Sequence, residues 1–329
     1  SFQAYFNHGN ILKKLGNLNE AVLSYHKAID NNNNFYEAYN KLGNILWIQG
    51  ELESSIKYFQ KSITIEAENF EAFLGLGLAY KSKDELQHSK DYFQKAFGLE
   101  PKNANAFSQA YSVASLLSDW SSTEKLKQEV NLNELEGEIS LYGLLAMDDD
   151  PKMHLKMSSK LSNHRYQNFN QLKLKPYHDS KRIKIGFFSS YFRQHPVSIL
   201  SIKMLESLNK EEFEIYAFHY GPETNDEYNL RVKEIFDSYQ NVSSMSDKDI
   251  AILAQENRID IAIEFNGFMK DGRVGILAYR PAPIQINFLA YPGTMGASFY
   301  DYIIADEKVI PVEQKNNYSE NIIYLPDCY

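Results

Sequence analysis

The chain has 329 residues, of which 43% are hydrophobic and 14% aromatic, which is enough for two folded domains with a sizeable core. Its net charge is -9 and it has no basic stripe, which argues against a nucleic-acid or anionic-membrane partner. No apolar run approaches the roughly 18 residues of a membrane span, and the single cysteine, Cys328, cannot pair within the chain, so we expect a cytoplasmic protein.

The first third of the sequence repeats itself with a period of 34 residues. Four registers keep the period: a glycine, a small residue, an aromatic residue and a second small residue. Their members are Gly9, Gly43 and Gly77; Ala21, Ser55 and Ser89; Tyr25, Phe59 and Phe93; and Ala28, Ser62 and Ala96. This pattern is typical of the tetratricopeptide repeat, a pair of helices whose backbones approach at the small residues. The sequence therefore predicts an α-solenoid.

The repeat array is predicted to occupy residues 1–118, with three clear units and a degenerate fourth. The fourth unit begins at Ala104, but Tyr111 stands where the glycine should be and the pattern then fades, as in a terminal capping repeat. Stacked repeats form a concave groove that can bind an extended polypeptide. We favour this interpretation over the alternative, a scaffold that only positions its neighbour.

Residues 119–180 are predicted to form an irregular helical linker region, which leads into a polar, proline-containing connector at 174–182. Three aspartates at 148–150 precede Pro151. Acidic residues before a proline are more often a helix cap than a metal site, because they complement the positive end of the helix dipole. We therefore predict a helix beginning near Pro151, no metal site, and a domain boundary near residue 180.

Residues 181–329 alternate between strand-like and helix-like segments. The predicted strands are "IKIGFFS", "FEIYAFHY", "DIAIEFN", "IQINFLAY" and "YDYIIAD", and the predicted helices are "VSILSIKMLESL", "EYNLRVKEIF" and "DKDIAILAQE". Near-continuous apolar strands separated by helices indicate a parallel sheet covered on both faces. The predicted fold class is α plus α/β, an α-solenoid followed by a Rossmann-like domain.

Unusual residues follow three of the predicted strands. They are His195 with Pro196, Asn266 with Gly267, and the segment at 291–294. Because ligands of parallel sheets bind beyond the carboxyl ends of the strands, these are candidate site residues. The sequence contains no glycine-rich phosphate loop of the usual patterns and no zinc-type cluster.

His195 is the strongest catalytic candidate among them. It precedes Pro196, so its backbone should be extended and Pro196 should open the next helix. The positive end of that helix dipole disfavours a charged imidazole, and a neutral histidine near pH 7 can serve as a general base. The alternative is a histidine that only caps the helix or satisfies a core carbonyl.

Three long segments, read together with the repeats, resemble a known family. They are "RIKIGFFSSYFRQHPVS", "IDIAIEFNGFMKDGR" and "RPAPIQINFLAYPGTMG". In combination they resemble the O-linked N-acetylglucosaminyltransferase family, with its bacterial members and its plant SPINDLY-type relatives. The resemblance runs over essentially the whole chain and is strongest in the third segment.

The resemblance implies the first lobe of a two-lobed GT-B glycosyltransferase that needs no metal and no other cofactor. Such an enzyme transfers a sugar from a nucleotide donor to a Ser or Thr hydroxyl, with inversion at the anomeric carbon. We expect UDP-N-acetylglucosamine (UDP-GlcNAc) as donor, ahead of UDP-glucose and GDP-fucose. The expected acceptor is a protein or peptide held in the repeat groove, and no nucleic-acid or membrane partner is expected.

The resemblance also implies roles for individual residues. His195 corresponds to the family's histidine beside the sugar, a base or a sugar-orienting group, and Pro196 accompanies it as a substrate-binding residue. The substrate-binding loops correspond to Asn266 and Gly267, and to Leu289, Ala290, Tyr291, Pro292, Gly293 and Thr294.

The chain departs from the family pattern in two places. Asp260 stands where animal members carry a second histidine, and Asn7, Lys41 and Gly75 stand where their repeats carry an asparagine ladder. We further expect a fragment cut at both ends, whose nucleotide-binding lobe would follow Tyr329. Without that lobe the 329 residues are expected to be inactive, because nothing would stabilise the leaving diphosphate. The alternative function is a repeat adaptor whose sheet domain only binds.

Overall fold

The computed structural model of the protein describes residues 1–174 and 181–327. The chain divides into two compact units, Ser1–Gly143 and Leu144–Tyr329. Cys328, His178 and the rest of the connector at 175–180 lie outside the described residues. The division between the units comes earlier than the boundary predicted near residue 180.

The first unit is a stack of helices that pack on one another in chain order. They are α1 (Phe2–Lys14), α2 (Leu18–Asn31), α3 (Tyr36–Ile48), α4 (Leu52–Ile65), α5 (Phe70–Ser82), α6 (Leu86–Leu99), α7 (Ala104–Leu116) and α8 (Trp120–Glu129). A short 3-10 helix, Leu132–Glu134, follows, and α9 (Leu141–Met147) spans the division between the units.

The 34-residue period corresponds to close helix packing within each pair. A Cβ added at Gly77 would lie 2.5 Å from the ring of Phe93, and one added at Gly43 would lie 3.0 Å from the ring of Phe59. The hydroxyls of Ser55 and Ser89 donate to the carbonyls of Gly43 and Gly77, each at 2.8 Å. The predicted α-solenoid is confirmed.

The fourth helix pair continues beyond the predicted end of the array at residue 118. Asp119 is the N-cap of α8 and its carboxylate accepts a hydrogen bond from the Ser122 N–H. The segment in which the repeat pattern fades is therefore a helix start, since an aspartate cap satisfies the free amides of a new first turn.

The second unit is built around one parallel sheet. Its helices are α10 (Pro151–Tyr166), α11 (Pro196–Ser207), α12 (Glu227–Ile235), α13 (Asp247–Glu256) and α14 (Gly275–Ala278), with a 3-10 helix at Val312–Asn317. Its strands are β1 (Ile183–Ser189), β2 (Phe213–His219), β3 (Ser238–Asn241), β4 (Ile261–Glu264), β5 (Ile284–Asn287), β6 (Tyr302–Ala305) and β7 (Asn321–Tyr324).

The strand order is β3-β2-β1-β4-β5-β6-β7, with every neighbouring pair parallel. The predicted Rossmann-like sheet is confirmed, and its five predicted strands are β1, β2, β4, β5 and β6. The chain runs outward from β1 in one direction and from β4 in the other, so the loops after β1 and β4 diverge. Such a switch point is where doubly wound sheets bind ligands.

The helix α10 belongs to the sheet unit and accounts for its early start. Asp150 caps the helix at Pro151, as predicted, by accepting a hydrogen bond from the Lys152 N–H. The Ser162 hydroxyl donates to the Met295 carbonyl at 2.8 Å. No helix among the described residues combines the length and apolarity required to cross a bilayer.

Candidate active site

His195 ends the loop that connects β1 to α11, as the sequence predicts. Its backbone is extended (φ -152°, ψ 148°), it is the N-cap of α11, and Pro196 is the first helical residue. Its Nδ1 accepts a hydrogen bond from the Val197 N–H at 3.3 Å. Burial, followed by the positive charge of Arg193, lowers the pKa of His195 below its usual value. The half-buried ring is therefore neutral at pH 7.

The cap hydrogen bond also decides which nitrogen of that ring carries the proton. A neutral imidazole has one N–H, and the nitrogen that accepts a hydrogen bond cannot bear it. The proton therefore lies on Nε2, which makes Nε2 a donor. To act as a general base, His195 would need a free lone pair on Nε2. The proton would then have to lie on Nδ1, where it would point at the Val197 N–H, a second donor. The cap thus favours His195 as a hydrogen-bond donor.

Tyr191 holds the imidazole in place. Its ring stacks on that of His195, with centroids 3.8 Å apart and planes 7° apart. The Tyr191 hydroxyl donates to the Lys270 carbonyl at 2.5 Å, and the Ser198 hydroxyl donates to the Tyr191 carbonyl at 2.6 Å. Tyr191 therefore joins the loop after β1 to the loop after β4. Sequence reasoning missed this residue, and its one signal was an aromatic ring close upstream of the histidine.

Asn266 and Gly267 follow β4 and meet the loop after β1. The buried Asn266 amide accepts from the Ser189 hydroxyl at 3.0 Å and donates to the Ser190 hydroxyl at 2.7 Å. Gly267 has φ 55°, a left-handed conformation that favours glycine, and a Cβ there would lie 2.5 Å from the Cβ of Tyr291. Both residues therefore fix the junction between neighbouring loops.

Glu264, the last residue of β4, is a site residue that sequence reasoning missed. Its side chain is fully buried. It accepts hydrogen bonds from the backbone N–H groups of Asn266 (2.9 Å) and Gly267 (2.5 Å) and from the Tyr220 hydroxyl (2.8 Å). Burial raises the pKa of Glu264 to about 7, against the opposing effect of these donors. The only sequence signal was a carboxylate ending an otherwise apolar strand.

The loop after β5 carries the predicted sugar-pocket residues. Leu289 has φ 85°, an unusual conformation for a residue with a side chain. Tyr291 is buried, which raises the pKa of its phenol, and its carbonyl accepts from the Asn287 amide at 3.0 Å. A Cβ at Gly293 would lie 2.7 Å from the Tyr291 ring, so a side chain at this position would displace that buried ring.

The end of this loop is held by a second buried carboxylate, Glu320. It accepts from the Thr294 hydroxyl at 2.8 Å and from the Met295 N–H at 2.6 Å. Burial raises the pKa of Glu320. Thr294 is itself buried, so its hydroxyl is part of the loop's internal support.

The structure joins the three predicted segments at one edge of the sheet. The Ala290 N–H donates to the Phe265 carbonyl at 3.1 Å, which connects the loops after β5 and β4. Pro196 is exposed, and Pro292 lines a cavity of about 400 Å³ beside Tyr318. Asp260 lies at the opposite, amino edge of the sheet, where its carboxylate accepts from the Lys184 N–H.

Comparisons with known proteins match both units. The profile described as glycosyl transferase family 41 matches residues 153–329. Profiles described as TPR repeat and tetratricopeptide repeat match residues 9–50, and 36–69 and 70–103, respectively.

Curated relatives match over part of their length. The chain is 31% identical over 215 residues to a probable UDP-N-acetylglucosamine–peptide N-acetylglucosaminyltransferase, SEC of Arabidopsis thaliana, covering 62% of this chain and 22% of that protein. It is 35% identical over 155 residues to the UDP-N-acetylglucosamine–peptide N-acetylglucosaminyltransferase of Caenorhabditis elegans, covering 46% of this chain and 13% of that protein. The chain therefore spans less than a quarter of either relative.

One solved structure resembles the fold of the whole chain. A mutant O-GlcNAc transferase of Thermobaculum terrenum superposes with a TM-score of 0.60 and 18% identity, covering 100% of this chain and 58% of that one. At this identity the likeness concerns the fold alone.

Proposed function

The chain belongs to glycosyl transferase family 41, and from this premise we propose that the full-length protein transfers a sugar from a nucleotide donor to Ser or Thr hydroxyls of other proteins. The observation that supports the proposal is the junction of loops at the β1/β4 switch point, where the segment that leads to His195 contacts Asn266 and the loop after β4 contacts the 289–294 loop. Loops beyond the carboxyl ends of parallel strands are the usual place for such a ligand.

The proposed reaction is a single displacement. The acceptor hydroxyl oxygen attacks the anomeric carbon, the bond from that carbon to the diphosphate oxygen breaks, and the configuration inverts. The proton of the acceptor hydroxyl passes to the departing nucleoside diphosphate. His195 supplies its Nε2–H as a donor that orients the sugar or the hydroxyl, which is the role its cap hydrogen bond supports. A fixed donor of this kind contributes without reorganisation when the reaction occurs.

We propose UDP-GlcNAc as the donor, because the relatives are named for that sugar nucleotide. The tetratricopeptide repeats would hold the protein acceptor, since stacked repeats present an extended surface for polypeptides. Other residues stand at the positions of the asparagine ladder in this chain. Lys41, for example, forms an ion pair with Glu71 at 3.0 Å. We also propose that the protein is cytoplasmic and that the reaction requires no metal or cofactor.

The test is transfer by the full-length protein with UDP-GlcNAc, UDP-glucose and GDP-fucose offered in parallel. Mass spectrometry of a Ser/Thr-rich peptide and of a whole-cell lysate would report the added sugar, with reactions lacking donor as controls. We expect N-acetylhexosamine on Ser or Thr with UDP-GlcNAc alone. Modification with a different donor would correct the sugar. No modification by folded protein with any donor would contradict the proposal in favour of a repeat adaptor.

A further inference from the structure

A buried glutamate at a strand end calls for a physical explanation. Glu264 is fully buried at the end of β4, within a strand whose other residues are Ile261, Ala262 and Ile263. Removing a carboxylate from water costs free energy that apolar residues of similar size do not incur. An apolar side chain at this position would serve the sheet at a lower cost, so the carboxylate requires a role beyond packing.

The contacts of the carboxylate point to that role. One oxygen accepts from the Asn266 N–H and the Tyr220 hydroxyl, and the other accepts from the Gly267 N–H. The two backbone donors belong to successive residues of the loop after β4. A carboxylate that accepts from both of them fixes the direction in which that loop leaves the strand.

The loop fixed in this way reaches two neighbouring site segments. The Asn266 side chain accepts from the Ser189 hydroxyl and from the Ser190 N–H (3.3 Å) in the segment that leads to His195. Gly267 lies directly against Tyr291 of the loop after β5. A shift of the Asn266 and Gly267 backbone would therefore move contacts on both sides of the switch point.

Tyr220 anchors the carboxylate from the other side. It follows β2, it is buried, and its hydroxyl is 2.8 Å from the Glu264 carboxylate. The guanidinium of Arg273 lies 5.9 Å from the centre of the Tyr220 ring, and Arg273 forms an ion pair with Asp247. The carboxylate is therefore held between the ends of β2 and β4.

We propose that Glu264 is a positioning residue, which with Tyr220 fixes the Asn266–Gly267 loop and through it the geometry of the site. The proposal rests on the proposed glycosyl transfer for its effect on turnover. Its effect on the loop itself is independent of any activity. Glu264 acts only through its neighbours and touches no reacting group.

The test compares Glu264→Gln and Tyr220→Phe in the full-length protein. Glutamine keeps the shape and one acceptor oxygen, but its NH2 group faces an N–H donor, so one loop amide loses its partner. Phenylalanine removes only the anchoring hydroxyl and leaves both loop amides paired. The matched control is Tyr300→Phe, because the buried Tyr300 hydroxyl has no hydrogen-bond partner among the described residues.

The first readout is backbone hydrogen exchange over residues 265–272, measured by mass spectrometry. We expect faster exchange in Glu264→Gln, a smaller increase in Tyr220→Phe and no change in Tyr300→Phe. Unchanged exchange in a folded Glu264→Gln protein would overturn the proposal, whatever the wild type does with a donor. This readout separates failure of the positioning role from failure of the proposed function.

The second readout is steady-state transfer with UDP-GlcNAc. Positioning predicts that kcat falls at least tenfold in Glu264→Gln, with a smaller change in KM and with circular dichroism like that of the wild type. Tyr220→Phe should lower kcat by a smaller factor, and Tyr300→Phe should match the wild type. Equal losses in all three variants would show a general packing effect and overturn the proposal.

Discussion

At the scale of single residues, two local constraints act on the His195 ring. The cap hydrogen bond from the Val197 N–H places the proton on Nε2, and burial lowers the pKa so that the ring stays neutral. The expectation of a neutral imidazole at a helix N-terminus agrees with this geometry. Between the two roles considered for His195, base and orienting group, this cap hydrogen bond favours the second, because a ring that accepts at Nδ1 carries its proton on Nε2.

Two substitutions of His195 separate the donor role from the base role. Glutamine can place an amide N–H near the position of Nε2, whereas asparagine reproduces only the capping acceptor. We expect His195→Asn to lower kcat of the full-length protein about 10²–10³-fold, as the loss of a fixed donor does. We expect His195→Gln to retain measurably more activity, and both variants to keep the wild-type circular dichroism.

The pH dependence of kcat gives an independent check on the same residue. A general base must be unprotonated. If His195 were the base, kcat would fall as the pH drops below 6.5, in line with the lowered pKa of His195. This fall in kcat would be absent from His195→Gln. A donor keeps its Nε2–H when the ring gains a second proton. We therefore expect the wild type and His195→Gln to share the shape of their acid limb. An acid limb that is present in the wild type and absent from the residual activity of His195→Gln would contradict the donor role.

The residue scale also shows what a sequence reveals about a site. His195, Asn266 and Gly267 could be predicted as site residues because a His-Pro pair and an Asn-Gly pair each indicate a particular backbone conformation. Glu264 was not visible, since its key partner, Tyr220, is 44 positions away and on another strand. A carboxylate at a strand end is usually solvated, and only the tertiary fold buries this one.

At the scale of secondary-structure elements, the repeats depend on glycines at helix crossings. In Gly77→Ala the new methyl would have to lie where the buried Phe93 ring now is, 2.5 Å away. Overpacking of this kind costs about 1–3 kcal/mol. We therefore expect Gly77→Ala to lower the free energy of unfolding by that amount, measured by denaturant titration with far-ultraviolet circular dichroism.

The matched control lies in the same helix pair. Gly98 is an exposed glycine in α6, with nothing within 4 Å of an added Cβ. Alanine there should be neutral or should stabilise the helix by up to about 1 kcal/mol, because it restricts the unfolded chain and suits a helix better. Equal effects of the two substitutions would show that close packing is not what requires glycine at position 77.

Elements were predictable wherever their sequences carry a period or a long apolar run. The strand β3 was missed because Ser238–Asn241 is polar, and its pairing with β2 at the edge of the sheet makes it a strand. The helix α8 lies within the predicted helical linker region, but its pairing with α7 was not predicted because its apolar pattern is weak, although Asp119 supplies a typical capping residue. In both cases tertiary contacts decide a segment whose local preference is small.

At the scale of the whole molecule, two sequence patterns predict the fold of each unit. The 34-residue repeat predicts a solenoid, and alternating strands and helices predict a parallel sheet. The division between the units was harder to predict. It precedes α10 because contacts such as that of Ser162 with Met295, 133 positions apart, tie this helix to the sheet.

The most direct test of the central claim is the anomeric configuration of the product, determined by nuclear magnetic resonance. The full-length protein would be incubated with UDP-GlcNAc and a Ser/Thr peptide, and the glycosylated peptide isolated. A single displacement at the edge of this sheet predicts N-acetylglucosamine on the hydroxyl with a configuration opposite to that in the donor. A product of retained configuration, or no product from folded protein, would contradict the account.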